Sequence, residues 1–381
     1  MSIRKVCVVT GTRAEYGLFL PIITKIQTSK YLDLKIVATT MHLSEEFGNT
    51  YKQIEEDGFY IDEKIENLLS SDSMSSIAKS TGLAIIQLSD AFIRLNPDVI
   101  VLLGDRFETH AAATTAMLLN IPIAHIHGGE ITEGAIDEKI RHSLTKMSNI
   151  HFTSTEEYKH RVIQMGESHD TVFVVGAPGL DNIAKMDFLS KEELENSLNW
   201  KINKPTALFT YHPETLSEKN LKEQIKKILL AVKNSKINIL FTYSNADNGG
   251  RIINNEIEKF ALQDQTKYLV VKNLGQLRYF SAIKYLDFVI GNSSSGIIEV
   301  ASFFKPTINI GIRQLGRLQS SNTLNCDVEN IEKTISKALS KNFLLKCHDV
   351  ENIYGNGNSA EKIVKVLTKM SLKITKKFID I

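Results

Sequence analysis

The chain contains 381 residues, of which 43% are hydrophobic and 23% are charged. Its 45 lysine and arginine residues balance 44 aspartate and glutamate residues, so the net charge of +1 gives no electrostatic basis for binding nucleic acid or a membrane surface. Because a single hydrophobic core rarely grows beyond about 250–300 residues, this length predicts two domains.

The spacing of the cysteines and the length of the apolar runs indicate the cellular compartment. Cys7, Cys326 and Cys347 are far apart and lack the spacing of a zinc site or a disulfide framework. No apolar run approaches the ~18 residues of a membrane span, and the run near the N-terminus is too short for a signal peptide. We therefore expect a cytoplasmic protein without a membrane partner.

Val- and Ile-rich runs alternate with longer helical patterns along the chain. This alternation predicts βαβ units, and continuous apolar runs are typical of parallel strands covered on both faces. We predict an α/β fold of two Rossmann-like, doubly wound domains that face a cleft, with residues 1–180 in the first domain and 181–360 in the second. The predicted strands cover residues 5–10, 34–39, 98–103, 121–126, 171–175, 207–211, 237–243, 268–271, 287–290 and 307–310.

Polar or ionisable residues follow nearly every predicted strand. Ligands of open α/β sheets bind beyond the carboxyl ends of the strands, so these residues form the candidate site. In the first half they are Gly11-Thr12-Arg13, Met41-His42, Gly104-Asp105-Arg106 and His127-Gly128-Gly129-Glu130. In the second half they are His212-Pro213-Glu214, Ser244-Asn245-Ala246-Asp247 and Asn292-Ser293-Ser294-Ser295-Gly296.

The stretch GNSSSG, residues 291–296, lies between a predicted strand and a predicted helix. Its backbone N–H groups and serine hydroxyls can bind an anion at the positive end of the helix dipole, and Glu299 can accept hydrogen bonds from ribose hydroxyls. The alternative is that Asn292 and the serines only cap the helix, although one serine suffices for a cap. Since neither GxxxxGK[ST] nor GxGxxG is present, the loop favours a nucleotide diphosphate over ATP hydrolysis.

Charged residues of the first half suit catalysis or phosphate binding. Arg13 can bind phosphate oxygens with its forked guanidinium, or it is an ordinary surface residue. Asp105 is a candidate acid or base, and the alternative is that it caps the helix beginning near Glu108. Asp137 and Arg141 have i, i+4 spacing, so they form a helix-surface ion pair, or Asp137 faces the site as a second carboxylate.

Histidines also occur at two of these strand ends. In HIHGGE, residues 125–130, the side chains of His125, His127 and Glu130 resemble a metal cluster at first sight. One of the two histidines should lie inside the fold, so we expect no metal there. His212, at a strand end in the second half, suits phosphate binding or acid–base chemistry.

Taken together, the motifs resemble those of one known family. The matching segments run in order over residues 5 to about 313, and they are TGTRAEYG, MHLSEEFGNT, LGDRFE, AHIHGGE, DEKIRHSLTKMS, FTSTEEYK, HPETL, SNAD and IGNSSSGIIEV. As a set they resemble the hydrolysing UDP-N-acetylglucosamine 2-epimerases of bacterial sialic acid and related nonulosonic acid pathways. The resemblance implies a GT-B-like architecture with UDP between two domains, and a final helix within residues 361–381 that crosses back to the first domain.

The resemblance also implies a reaction. UDP leaves UDP-N-acetylglucosamine by anti elimination, and water then adds to 2-acetamidoglucal to give N-acetylmannosamine. No cofactor and no metal are implied; the expected partners are the UDP-sugar and further copies of the chain in a homodimer or homotetramer. The alternatives are the same chemistry on UDP-2,4-diacetamido-2,4,6-trideoxyglucose, as in legionaminic acid pathways, or a GT-B glycosyltransferase.

Carried over by position, the resemblance makes Asp105 and Asp137 the catalytic carboxylates and places His212 near the diphosphate. Some relatives have a glutamate at the position of His127, so the third acid/base group is either His127 or Glu130. The residues expected to bind UDP and the sugar are Arg13, His42, Arg106, Arg141, Ser244, Asn245, Asn292, Ser293, Ser294, Ser295, Gly296, Glu299 and Arg313.

Overall fold

The computed structural model describes residues 3–69, 73–132, 136–214, 220–244 and 249–380. By its internal contacts the chain forms two units. Within the described residues, the first unit contains 3–130, 136–184 and 354–380, and the second contains 131–132 and 185–353. The divisions predicted from the sequence are 180/181 and 360/361.

The first unit is built on a seven-stranded sheet with the strand order β3-β2-β1-β4-β5-β6-β7, in which neighbouring strands are parallel. The sheet strands are β1 Arg4–Thr10, β2 Leu32–Thr39, β3 Glu63–Ile65, β4 Val99–Leu103, β5 Ile123–Ile126, β6 Ile150–Thr153 and β7 Val172–Val174. The helices that connect or follow them are α1 Arg13–Gln27, α2 Tyr51–Glu56, α3 Met74–Leu95, α4 Phe107–Leu118, α5 Ile136–Met147, α6 Glu156–Gln164 and α7 Gly179–Lys185.

Strand β1 shows why the strands of this sheet are continuously apolar. Val6 and Val8 belong to one buried cluster together with Phe19 of α1, whereas Cys7 and Val9 belong to another. Successive side chains of a strand point to opposite faces of the sheet. Both faces are therefore covered by apolar side chains, and each position of the strand has to be apolar.

The second unit is built on a six-stranded parallel sheet with the order β10-β9-β8-β11-β12-β13. Its strands are β8 Thr206–Thr210, β9 Asn238–Thr242, β10 Tyr268–Val271, β11 Phe288–Gly291, β12 Thr307–Ile310 and β13 Thr323–Cys326. The remaining helices are α8 Lys191–Leu198, α9 Leu221–Asn234, α10 Gly250–Ala261, α11 Gly275–Tyr285, α12 Ser294–Ile298, α13 Ile331–Ala338, α14 Lys341–His348 and α15 Ser359–Lys369.

Helix α15 returns to the first unit, where Ile363 and Leu367 are fully buried in the cluster that contains side chains of α1. The residues after α15 stay on the same unit. Lys376 donates hydrogen bonds to the carbonyl oxygens of Thr145 and Ser148 at the end of α5, at 3.0 and 2.7 Å. The C-terminal segment thus supports the helix whose other end carries Asp137.

The prediction of two parallel α/β units is confirmed, and each predicted strand occurs within two residues of its expected bounds. Strands β3, β6 and β13 were not predicted, because polar residues interrupt each of them and none is a continuous apolar run. The strand order reverses between β1 and β4 in one sheet and between β8 and β11 in the other. Such reversal points are where open α/β sheets bind ligands.

Within the described residues, no helix is both long enough and apolar enough to cross a membrane.

Candidate active site

The reversal point of the first sheet brings together the residues that follow β1 and β4. Thr12 is the N-cap of α1 and accepts a hydrogen bond from the backbone N–H of Glu15 at 3.2 Å. Arg13, the first residue of the helix, is exposed, so its guanidinium is accessible to a ligand. Asp105 follows β4 and is partly buried.

Asp105 is held by Arg141 of α5. The Nε of Arg141 donates to Oδ2 of Asp105 at 2.9 Å, and NH2 of the guanidinium donates to the same oxygen. NH1 donates to the backbone oxygen of Glu130 at 2.8 Å and to Oε2 of Glu138 at 2.6 Å. The helix-cap alternative for Asp105 does not hold, since Arg106 is the N-cap of α4.

Arg141 is therefore a buried anchor, with 1% of its surface exposed, that binds Asp105 beyond β4 as well as Glu138 of its own helix. Asp137 lies in the first turn of α5, one turn before Arg141, and is partly buried. By holding Asp105, Arg141 ties the end of β4 to the helix that carries Asp137. The two candidate carboxylates consequently sit on connected segments of one unit.

His127 and Glu130 form a close pair just beyond β5. The Nδ1 of His127 lies 2.6 Å from Oε1 of Glu130, and the hydroxyl of Ser154 donates to the same oxygen at 3.2 Å. Glu130 is buried, whereas His127 is partly buried and has a φ of 70°. A left-handed backbone at a histidine is uncommon and is typical of functional sites. Because Nδ1 is held by Glu130, the pair fixes the orientation of the imidazole ring.

His125 is a buried core histidine. Its Nε2 lies 2.7 Å from the carbonyl oxygen of Gly104, and burial lowers its pKa to about 4. Across the part of the chain that the structure describes, no group of three or more His, Cys, Asp or Glu side chains is arranged to hold a metal ion.

Two buried glutamates near β1 were missed from the sequence. Oε2 of Glu15 accepts a hydrogen bond from the backbone N–H of Gly11 at 2.6 Å, and Oε1 of Glu108 accepts one from Nε of Arg106 at 2.6 Å. Burial, and then the charge of Glu108, raises the pKa of Glu15 to about 8. For Glu15, the sequence did contain a signal of this position. The T-x-x-E pattern from Thr12 to Glu15 is typical of a capping box, which points the carboxyl group back toward the turn after β1.

His42 supports the turn after β1 through its contacts with two threonines. The Nε2 of His42 lies 3.1 Å from Oγ1 of Thr10, and its Nδ1 lies 2.9 Å from Oγ1 of Thr50. The ring is fully buried, and burial lowers its pKa to about 4. This environment suits a residue that holds the end of β1, and contact of His42 with a ligand stays a prediction.

In the second unit, Asn292 links the ends of β8 and β11. Its Oδ1 accepts from the backbone N–H of His212 at 2.7 Å, and its Nδ2 donates to the carbonyl oxygen of His212 at 2.8 Å. The carbonyl oxygen of Asn292 accepts from Arg313 at 3.1 Å and from Gln314 at 2.9 Å. Asn292 is completely buried, so its amide organises the loops on either side.

His212 is buried beside Ser244 and Arg313. Its Nδ1 lies 3.2 Å from the hydroxyl oxygen of Ser244. Burial, and then the charge of Arg313, lowers the pKa of His212 to about 3, so the ring is neutral at pH 7. Asn245, expected to bind the ligand, lies outside the described residues.

The serine loop leads into a shorter helix than the sequence suggests. Ser293 is the N-cap of α12 without a side-chain capping bond, and the hydroxyl of Ser295 accepts from Tyr279 at 2.9 Å. Helix α12 has five residues and ends at Ile298, and its C-cap Glu299 is buried. A helix this short has a weak macrodipole. An anion at the partly buried Ser293, Ser294 and Ser295 and at the adjacent Gly296, which stays a prediction, would therefore be held by individual N–H and hydroxyl donors.

Ionisable and anion-binding side chains at the reversal points of two Rossmann-like units are typical of enzymes that act on nucleotide-linked substrates. The family model described as UDP-N-acetylglucosamine 2-epimerase matches residues 24–368. The chain belongs to this family of enzymes, and the resemblance carried by the motifs is confirmed.

Individual relatives match over nearly their whole length. The GDP/UDP-N,N'-diacetylbacillosamine 2-epimerase (hydrolyzing) of Campylobacter jejuni is 42% identical, with all of both chains covered. The UDP-N,N'-diacetylbacillosamine 2-epimerase (hydrolyzing) of Legionella pneumophila is 36% identical, with 97% of each chain covered. The crystal structure of UDP-GlcNAc 2-epimerase from Neisseria meningitidis bound to UDP-GlcNAc superposes with a TM-score of 0.82 at 20% identity, covering 96% of this chain and 100% of that chain.

Proposed function

We propose that the chain is a hydrolysing 2-epimerase that converts UDP-N,N'-diacetylbacillosamine, which is UDP-2,4-diacetamido-2,4,6-trideoxyglucose, to UDP and 2,4-diacetamido-2,4,6-trideoxymannose. The observation that carries this proposal is the full-length identity of 42% and 36% to two relatives named for this sugar. The motifs alone favour UDP-N-acetylglucosamine, which is now the second candidate. The UDP-N-acetylglucosamine 2-epimerase of Neisseria meningitidis serogroup B, a relative named for that substrate, is 28% identical.

The chemistry sets two demands on the site. The proton on carbon 2 of the sugar is not acidic, because the carbon bears an amide nitrogen and has no neighbouring ketone. A base must remove it while the bond from carbon 1 to the diphosphate oxygen breaks, which leaves a glycal and UDP. Water then adds hydroxide at carbon 1 and a proton at carbon 2 to give the manno sugar. The site must therefore supply proton-transfer groups and donors for the charge that develops on the diphosphate.

The first unit carries the proton-transfer groups in this proposal. Asp105 and Asp137 are the candidate bases, and the two hydrogen bonds from Arg141 to one oxygen of Asp105 set the direction of its other oxygen. The third acid/base group is the pair of His127 and Glu130, in which Glu130 orients the ring and His127 exchanges the proton. His127 and Glu130, which the sequence left as alternatives for this group, thus act together as one acid/base pair in this proposal.

The second unit carries most of the diphosphate donors in this proposal. His212 is neutral at pH 7 because burial lowers its pKa to about 3, so it acts as a hydrogen-bond donor and not as a cation. Arg313 supplies positive charge beside it, and residues 293–296 supply hydroxyl and N–H donors. Arg13, exposed on the first unit, is the further phosphate contact, and Glu299 is the ribose contact.

Proton NMR in deuterated water tests the proposal. UDP-N,N'-diacetylbacillosamine, its GDP-linked counterpart and UDP-N-acetylglucosamine are incubated with the enzyme in separate tubes. We expect the first tube to give free UDP and a manno-configured sugar that carries deuterium at carbon 2, faster than the other two tubes. A faster reaction with UDP-N-acetylglucosamine would reject the assigned sugar, and a product still attached to UDP would reject hydrolysis. Unchanged sugar in all tubes, with UDP bound, would favour a transferase.

A further inference from the structure

Helix α5 carries Asp137 and Arg141 but makes few apolar contacts with its unit. Of its twelve residues, all of which the structure describes, Leu144 is the one buried apolar side chain. A helix normally docks through a continuous apolar stripe. Helix α1 has such a stripe, which includes Phe19, Ile22, Ile23 and Ile26. The position of α5 therefore depends more than that of α1 on polar anchors.

One such anchor comes from residues 373–379, which follow α15 and which we call the C-terminal strap. The backbone oxygen of Lys373 accepts a hydrogen bond from Nδ2 of Asn149 at 3.0 Å, just beyond α5. The backbone N–H of Ile379 donates to the carbonyl oxygen of Gly166 at 3.0 Å, just beyond α6. The strap is thus fixed at both of its ends.

Between these two points, the ammonium group of Lys376 caps α5. Its Nζ donates to the carbonyl oxygens of Thr145, Lys146 and Ser148 at 3.0, 2.9 and 2.7 Å. The last carbonyl groups of a helix lack partners within it, and the negative end of its dipole favours a cation. The last turn of α5 therefore receives its cap from a side chain 231 positions beyond Thr145.

Glu167 fixes the place of this ammonium group. Its Oε2 lies 2.7 Å from Nζ of Lys376 and 3.0 Å from Nε2 of His151, and its Oε1 accepts from Lys146 at 2.6 Å. Burial alone would raise the pKa of Glu167, but the hydrogen bonds from these three residues lower it to about 2. The carboxylate is thus charged although its side chain is only 2% exposed. A buried charge needs such partners, which makes the position of Lys376 specific.

The last turn of α5 is tied to the turn that carries Arg141. The hydroxyl of Thr145 donates to the backbone oxygen of Arg141 at 3.2 Å, and the carbonyl oxygen of Thr145 accepts from Lys376. Arg141 in turn donates to Oδ2 of Asp105 and to the backbone oxygen of Glu130. Contacts therefore run without a break from the C-terminal strap to two residues of the candidate site.

We propose that Lys376 is a positioning residue for the reaction, acting through α5 on Arg141. The proposal rests on the proposed function, in which Asp105 is a candidate base. Without the ammonium group the last turn of α5 loses its cap, so Arg141 no longer holds Asp105 in the same place. A small displacement of a reacting group lowers kcat. Affinity for UDP should stay, because most of the proposed diphosphate donors belong to the second unit.

Steady-state kinetics of Lys376→Met test the proposal. Methionine keeps a flexible apolar side chain but has no N–H to donate. We expect kcat to fall roughly 10-fold, while KM and the affinity for UDP change by less than about 2-fold. Lys377→Met, at the exposed neighbouring lysine, is the matched control and should keep the wild-type kcat. A chain that ends at Met370 lacks the strap and should lose at least as much, and circular dichroism establishes that each variant is folded.

A double-mutant cycle with Arg141→Lys separates positioning from a general loss of stability. If Lys376 acts through Arg141, Lys376→Met should lower kcat by less than roughly 3-fold once Arg141 is already lysine. Losses that multiply in the double variant would overturn the proposal. So would a wild-type kcat in both Lys376→Met and the chain that ends at Met370.

Hydrogen exchange needs no substrate, so it distinguishes a failure of this proposal from a failure of the proposed function. We expect the amides of residues 141–148 to exchange faster in Lys376→Met than in the wild type. Unchanged exchange there would overturn the action of Lys376 through α5. A wild type that releases no UDP from any of the sugar nucleotides would reject the proposed function and the positioning role with it, whereas the exchange rates would still show whether Lys376 holds α5.

Discussion

The guanidinium of Arg141 holds a single oxygen of Asp105 through two of its nitrogens, with Nε at 2.9 Å from Oδ2. A third nitrogen binds the backbone oxygen of Glu130 and a carboxylate oxygen of Glu138. One buried side chain therefore sets the positions of a candidate base, of the residue that orients His127, and of the first turn of α5.

Arg141→Lys should lower kcat by about 100-fold while changing the affinity for UDP little. Lysine keeps the charge but lacks the planar fork that reaches all of these acceptors, and a shift of about 1 Å in a reacting group costs that much. Steady-state kinetics and UDP titration measure the two effects. Arg94→Lys, which alters an exposed bidentate pair with Glu63, is the control. An unchanged kcat for Arg141→Lys would contradict the positioning role.

Asp105→Asn and Asp137→Asn should each lower turnover by about 10²–10⁴-fold. The amide has nearly the same shape as the carboxylate but cannot remove a proton, so UDP should bind almost as before. Asp98→Asn is a control on the same sheet, because Asp98 lies before β4, where it accepts the backbone N–H of Lys5 at 2.8 Å. If both site variants turn over at the wild-type rate, the candidate bases are wrongly assigned.

The sequence predicts the strands and the residues that follow them because both depend on local pattern. A run such as Val99–Leu103 is apolar throughout, and the polar residue after it must lie at the carboxyl end of the strand. The contact between Arg141 and Asp105 was not predictable in this way. The two residues are 36 positions apart, and Asp105 comes near Arg141 only through the packing of α5 against the sheet.

The burial of two glutamates and the length of the helix after the serines could not be predicted from local sequence pattern either. Glu15 and Glu108 read as ordinary residues in the first turns of exposed helices, yet both are buried where two helices meet the end of β1. The helix after the serines ends after five residues and gives way to a 3₁₀ turn at Val300–Phe303. No glycine or proline in the sequence marks that change.

His127→Gln and Glu130→Gln should each reduce kcat by roughly 100-fold, and the double variant should be little worse than either single one. Residues that act as one unit lose their contribution together, because Glu130 works through the orientation of His127. The kinetics of the four proteins form a double-mutant cycle. His169→Gln, at an exposed histidine, is the control. Effects that multiply in the double variant would indicate two independent roles.

Asn292→Ala should lower the free energy of unfolding of the second unit by roughly 3 kcal/mol. It leaves the backbone N–H and carbonyl of His212 without the amide that pairs with them at 2.7 and 2.8 Å. UDP affinity should fall as well, since the loops after β8 and β11 lose their link. Urea titration and UDP titration measure the two effects. Asn234→Ala, which removes an exposed hydrogen bond to Glu332, should change neither the free energy of unfolding nor the affinity for UDP. An equal unfolding midpoint for Asn292→Ala would contradict the role of this link.

Glu15→Gln should flatten the dependence of stability on pH. Burial, and then the charge of Glu108, raises the pKa of Glu15 from 4.5 to about 8. Between these values the folded chain keeps a proton that the unfolded chain releases, so stability falls as pH rises, by up to ~1.4 kcal/mol per pH unit. Glutamine is neutral throughout, so the variant should match the wild type near pH 5 and exceed it near pH 8 in urea titrations. Glu192→Gln, at an exposed helix start, should leave the slope unchanged. A Glu15→Gln slope equal to that of the wild type would mean that Glu15 is ionised in the folded protein.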